Sequence, residues 1–122
     1  MINGTVNASR EATVRVVLVN DAQRREEFEA IIDTGFSGDL TLPKALIASL
    51  NLVWLGREQG VLADGSVKLF DVYTGSVLWN GELCAVEIEA VNGQPLLGMK
   101  LLQGYSLQID VITNGAVSIN PL

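Results

Sequence analysis

Apolar and polar positions alternate along this chain in short runs separated by Gly, Asn, Asp and Pro, a period of two that predicts strands rather than long helices. Ile2 to Val6 is a short alternating segment, predicted as an edge strand. Ala12 to Val19 puts Val14, Val16 and Leu18 on one face, and Asn20 to Gln23 supplies a turn. Glu26 to Ile32 then returns as a second strand. Leu40 to Leu42 is a brief apolar run, and Pro43 suits the first turn of a helix reaching about Leu50, with Leu46, Ile47 and Leu50 inward.

Trp54 to Leu62 and Val67 to Leu78 flank Ala63-Asp64-Gly65-Ser66, a strong hairpin signal. Asn80-Gly81 turns the chain into Glu82 to Ala90, where Cys84, Val86, Ile88 and Ala90 share a face. Cys84 therefore reads as a small core residue. Trp54 and Trp79 read as packing residues. After Asn92-Gly93 come Leu96-Leu97-Gly98 and one predicted helical turn, Met99 to Leu102. Leu107, Ile109 and Val111 share a strand face, with Asp110 opposite them. Asn114-Gly115 leads into a last strand, Ala116 to Ile119, which Pro121 stops. The pattern predicts about eight or nine strands and one or two short helices: a mainly-β, barrel-like domain spanning residues 1–122.

Composition narrows the chemistry. With 122 residues, 48% apolar and 18% charged, the chain suits one folded domain. No apolar run is long enough to cross a bilayer, and no basic-then-apolar leader opens the chain, so a cytoplasmic protein is expected. The single Cys84 suits a reducing compartment. A net charge of −6 with scattered Lys and Arg argues against nucleic acid or an anionic membrane as partner. The chain has no histidine, which removes Ser-His-Asp and Cys-His catalysis and the common zinc sites. No phosphate-binding Gly loop is present, and no cofactor is implied. Carboxylates are the default chemistry.

One stretch stands out against that background. Ile31-Ile32-Asp33-Thr34-Gly35-Phe36-Ser37-Gly38 delivers an acid to the end of an apolar strand and then turns sharply. Burying an ionised carboxylate costs several kcal/mol unless partners compensate. An Asp in this place often only caps its own turn. A cation site from Asp33, Ser37 and Asp39 is a further reading, although the Gly and terminal Glu of a calcium loop are missing, so no metal is expected.

The order of features resembles the single-domain, retropepsin-like aspartic proteases, closest to small bacterial or archaeal members. The resemblance rests on Ile31-Ile32-Asp33-Thr34-Gly35, the hairpin around Ala63-Asp64-Gly65-Ser66, and Leu96-Leu97-Gly98-Met99-Lys100-Leu101-Leu102, and covers residues 12 to 119. It implies a closed β-barrel of the acid-protease fold, one lobe per chain. Asp33 would be the catalytic carboxylate, Thr34 would cross-link two copies near a symmetry axis, and Gly35 would lie where substrate backbone approaches. Phe36, Ser37 and Gly38 would border the substrate, Ala63, Asp64, Gly65 and Ser66 would close over it, and Leu97 with Gly98 would pack behind the loop. Phe36 stands where viral members have a small residue, and Ser37 and Gly38 stand where the family has acids.

The family's chemistry needs two carboxylates sharing a proton, one activating water and the other donating to the developing oxyanion. This chain has a single Asp-Thr-Gly. The resemblance therefore implies a homodimer, with an Asp33 from each chain meeting on a two-fold axis, acting as an endopeptidase on a peptide or protein. The alternative is a dimerisation or peptide-binding module that kept the fold without turnover.

Overall fold

The computed structural model describes residues 1–122 as ten strands and two short helices. The strands are β1 (Ile2–Val6), β2 (Ala12–Val19), β3 (Arg25–Ile32), β4 (Leu40–Leu42), β5 (Val53–Val61), β6 (Val67–Trp79), β7 (Glu82–Ala90), β8 (Leu96–Leu97), β9 (Tyr105–Ile109) and β10 (Ala116–Pro121). Helix α1 is Lys44–Ser49 and α2 is Met99–Leu102. No helix is long and apolar enough to cross a membrane.

The strands run β5-β6-β7-β4-β8-β3-β2-β1-β10-β9, and an additional β6–β2 pairing joins the sheet to itself. That pairing closes a barrel of β2, β3, β8, β4, β7 and β6. Closure is possible because β2 and β6 are long enough to serve several partners. Along one edge of β2, Ala12 to Val14 pair with β1 and Val17 to Val19 pair with β6. The first part of β6 instead runs beside β5, from Val67 opposite Val61 to Thr74 opposite Val53. The β5–β6 hairpin thus extends outward from the barrel wall.

The inward faces supply the core. Val14, Val16, Leu18, Ala30, Leu40, Leu42, Val77, Val86, Ile88 and Leu97 are all buried in one cluster, which Ile47 and Leu50 close from the α1 side. The alternation in β2 and β7 is the period-two pattern read from the sequence, so the facing of those strands follows from burying one row of side chains. Cys84 is half-buried at the margin of this cluster.

Several boundaries differ from the sequence reading. β1 is not an edge strand: β10 pairs with its far side, Ile2 opposite Ile119. Pro43 caps α1 in an extended conformation rather than entering it. Val111 lies beyond β9 and is 67% exposed, because the chain turns at Asp110 and returns through Gly115 to pair Asp110 with Ala116. Asp110 accordingly sits in that turn and not on a strand face. Pro121 is the last residue of β10, opposite Tyr105; with no N–H to give, it fits at a strand end. Trp79 packs edge-on against Tyr105, with ring centres 5.9 Å apart. Trp54 does not pack inside: it is 57% exposed and donates its indole N–H to Asp71 at 3.2 Å.

Candidate active site

Asp33 follows directly on β3, where the barrel brings the two short strands β8 and β4 beside it. β8 runs parallel to β3, Ile32 opposite Leu97, and β4 lies antiparallel on the other side of β8, Leu40 opposite Leu97. Parallel neighbours end at the same level, so the loop after Ile32 and the chain after Leu97 emerge side by side. Leu97 is wholly buried, and its carbonyl accepts the Asp33 N–H at 2.9 Å. It therefore meets the site through its backbone, from behind.

The segment Gly98–Lys100 is laced to the Asp33 loop. The Gly98 N–H donates to the Asp39 carbonyl at 2.9 Å, Met99 to Phe36 at 2.8 Å and Lys100 to Gly38 at 3.1 Å. Such close approach leaves no room for a side chain at Gly98: a Cβ there would collide with the Gly38 carbonyl and lie 2.6 Å from the Phe36 ring. This steric demand explains why the apolar pair in β8 is followed by Gly, at an ordinary extended backbone conformation. On the open side, the Asp33 carboxylate accepts the Gly35 N–H at 2.9 Å, and Phe36 donates its N–H to the Asp33 carbonyl at 3.1 Å. The turn thereby fixes one carboxylate oxygen with a backbone donor.

Asp33 opens onto a cleft of about 670 Å³. Its floor holds Gly35, Phe36, Ser37, Gly38 and Asp39; its roof is the β5–β6 hairpin, contributing Glu58 to Ala63 and Phe70. The residues read from the sequence divide into groups. Asp33, Gly35, Phe36, Ser37, Gly38 and Ala63 share this cleft. Thr34 is exposed and lines an adjoining hollow of about 470 Å³ with Ser37, Met99, Leu102, Tyr105 and Leu107. Asp64, Gly65 and Ser66 form the hairpin tip and do not line the cleft. There the Asp64 carboxylate accepts the Ser66 hydroxyl at 2.6 Å and the Ser66 N–H at 2.9 Å, bonds that hold its carboxyl below the usual range.

The sequence reading missed a set of charged wall residues. Asp39 is buried; its carboxylate accepts the Glu87 N–H at 3.0 Å and lies 3.8 Å from the Lys100 ammonium. Those partners account for its burial. Lys100 also approaches Glu87 at 3.9 Å. Glu89 is half-buried on the same wall, and burial, with Glu58 and then Glu87 nearby, pushes its carboxyl up from the ordinary 4.5. The available signal was the alternation of β7: Glu87 and Glu89 lie opposite its core row, on a face that turns out to border the cleft instead of bulk water.

Chemically, the loop presents a carboxylate at the floor of the cleft, with its backbone fixed from behind. Scans against protein-family models give no match, and a search of curated proteins gives none either. Among solved structures, a retropepsin-like aspartic protease from Rickettsia conorii superposes with a TM-score of 0.65 at 19% sequence identity, covering 98% of this chain and 89% of that one. The mainly-β fold of this chain is thus the retropepsin-like fold.

Proposed function

We propose that this chain is an aspartic endopeptidase that works as a homodimer. The reading rests on Asp33, a carboxylate at the floor of an open cleft, held at the crossing of β3 and β8 within a retropepsin-like fold. Each copy contributes one Asp33, and the two carboxylates face each other across a two-fold axis. Like charges at short range do not both ionise cheaply, so the pair keeps one proton. The ionised member removes a proton from water as the water attacks the peptide carbonyl; the protonated member donates to the carbonyl oxygen, giving a tetrahedral diol. Collapse of the diol then breaks the C–N bond as the leaving nitrogen is protonated. In this reading Thr34, exposed beside Asp33, meets its counterpart in the partner, and the β5–β6 hairpin covers the substrate.

Solution mass and peptide hydrolysis test this reading together. A species of twice 13.1 kDa that cuts an unbiased peptide mixture, is blocked by a pepstatin-type inhibitor, and loses turnover in Asp33→Asn is the expected result. A strict monomer, or turnover that survives Asp33→Asn, overturns it. Peptide retention without turnover in the wild-type protein would mark a binding module.

A further inference from the structure

The cleft is unevenly charged. Asp33, Asp39, Glu58, Glu87 and Glu89 line it, with Lys100 as the only cation among its walls. Lys100 is already engaged, lying within 4.0 Å of both Asp39 and Glu87. Glu89 and Glu58 have no cation within ion-pair distance; Arg57, next to Glu58, pairs instead with Asp71 at 3.2 Å. Lys68 lies over the Phe70 ring, 5.8 Å from its centre, and does not line the cleft.

Glu89 also has a particular setting. Gly38 has no Cβ, and the edge of the Phe36 ring fills the place where one would be, 2.6–2.7 Å from that point, with one Glu89 carboxylate oxygen 3.6 Å from it. A carboxylate and an aromatic ring therefore lie side by side on the lining of the cleft. Long cationic side chains lay their methylenes along apolar surface and place the charge at the end, and a ring next to a carboxylate suits both parts. A neutral side chain would leave Glu89 ionised, half-desolvated and unpaired, and an acidic one would add repulsion.

Resting on the endopeptidase reading, we propose that the cleft selects peptides carrying a lysine or arginine, whose charged end pairs with Glu89 while its stem lies against Phe36, with Glu58 of the hairpin closing from above. Burial first, and then the charges of Glu58 and Glu87, raise the Glu89 carboxyl, and a cation seated there would offset these effects. The Phe36 and Gly38 pair gives the preference a physical basis separate from the water-activating Asp33.

The test uses one randomised decapeptide library in two arms. Wild-type protein digests it and the cut sites are read by mass spectrometry; Asp33→Asn protein is equilibrated with it and the retained peptides are sequenced. The expected result is Lys and Arg enriched about tenfold over Leu at one fixed position in both arms, an advantage that shrinks as ionic strength rises. Glu89→Gln should abolish the enrichment and Glu89→Lys should turn it toward Asp and Glu; Glu58→Gln, on the exposed hairpin, supplies a partial loss should either Glu89 variant misfold. Enrichment among retained peptides without cleavage would uphold the basic-side-chain site while removing the endopeptidase reading. Cleavage without basic preference would do the reverse. Retention of no peptide, with no cleavage, would overturn both.

Discussion

The two walls of the cleft are built on different principles. The floor, Asp33 to Asp39, is tied by backbone hydrogen bonds to β8 and α2 and rests on fully buried Leu40 and Leu97. The roof, the β5–β6 hairpin, is held by its own ladder and a tip turn in which Leu62 and Ser66 pair at 2.8 Å. Several of its apolar residues are exposed: Val61 is 75% exposed, Val67 61% and Leu69 57%. The floor is specified many times over, whereas the roof has little beneath it. A rigid acid and a loosely supported cover are what the proposed cleavage of a bound peptide would require.

The largest expected effect breaks the floor's chemistry and leaves its framework. Asp33→Asn keeps an acceptor for the Gly35 N–H, so thermal unfolding should shift little, while peptide hydrolysis falls by roughly 10²- to 10⁴-fold or to background. Next comes the framework itself. Gly98→Ala forces a methyl against the Gly38 carbonyl and the Phe36 ring and should cost about 1–3 kcal/mol or more in urea unfolding. The matching change in the roof is milder. Gly65 has open space around it, and only its φ of +85° opposes a side chain, so Gly65→Ala should cost about 1 kcal/mol. Equal costs at the two glycines would remove the contrast between the walls.

Hydrogen exchange sharpens the same comparison without mutation. The amides of Asp33, Gly98 and Met99 should exchange orders of magnitude more slowly than that of Gly65 at the tip. The smallest effect concerns pH. Glu89 takes its proton more readily in the folded chain than unfolded, because burial, Glu58 and Glu87 all disfavour its charge. The folded state then binds more protons across the window from the ordinary 4.5 to the raised value, and this group's contribution to stability falls as pH rises through it. Asp39 and Lys100 lie on the same cleft wall, Lys100 already paired, so the penalty is not offset from that side. Glu89→Gln should therefore be slightly stabilising above the window and neutral below it, as read from thermal midpoints at two pH values. Destabilisation at neutral pH would mean that Glu89 has a partner.

Much of this was legible in the sequence because strand patterning is local. The alternation in Ala12 to Val19 and Glu82 to Ala90 can bury only one row of side chains, so both the strands and their inward faces follow from residue order. The Asp-Gly hairpin, the Leu-Leu-Gly segment and the acid after Ile32 were visible for similar reasons: each turn needs a residue type that few others supply. The sequence could not show that β6 reaches β2 to close the barrel, since that pairing joins residues some sixty positions apart. Nor could it assign the outward row of β7. Glu87 and Glu89 lie opposite the core row of β7, and only the fold of the hairpin over that face makes them walls of the cleft. Asp39 entered the sequence reading only as a possible cation ligand beside Asp33 and Ser37; its burial depends on the Glu87 amide and Lys100, brought to it from distant segments. Residue order determined the strands, the turns and the candidate acid. Long-range pairing alone decided which charges surround that acid, because a side chain's solvent is set by what folds across it.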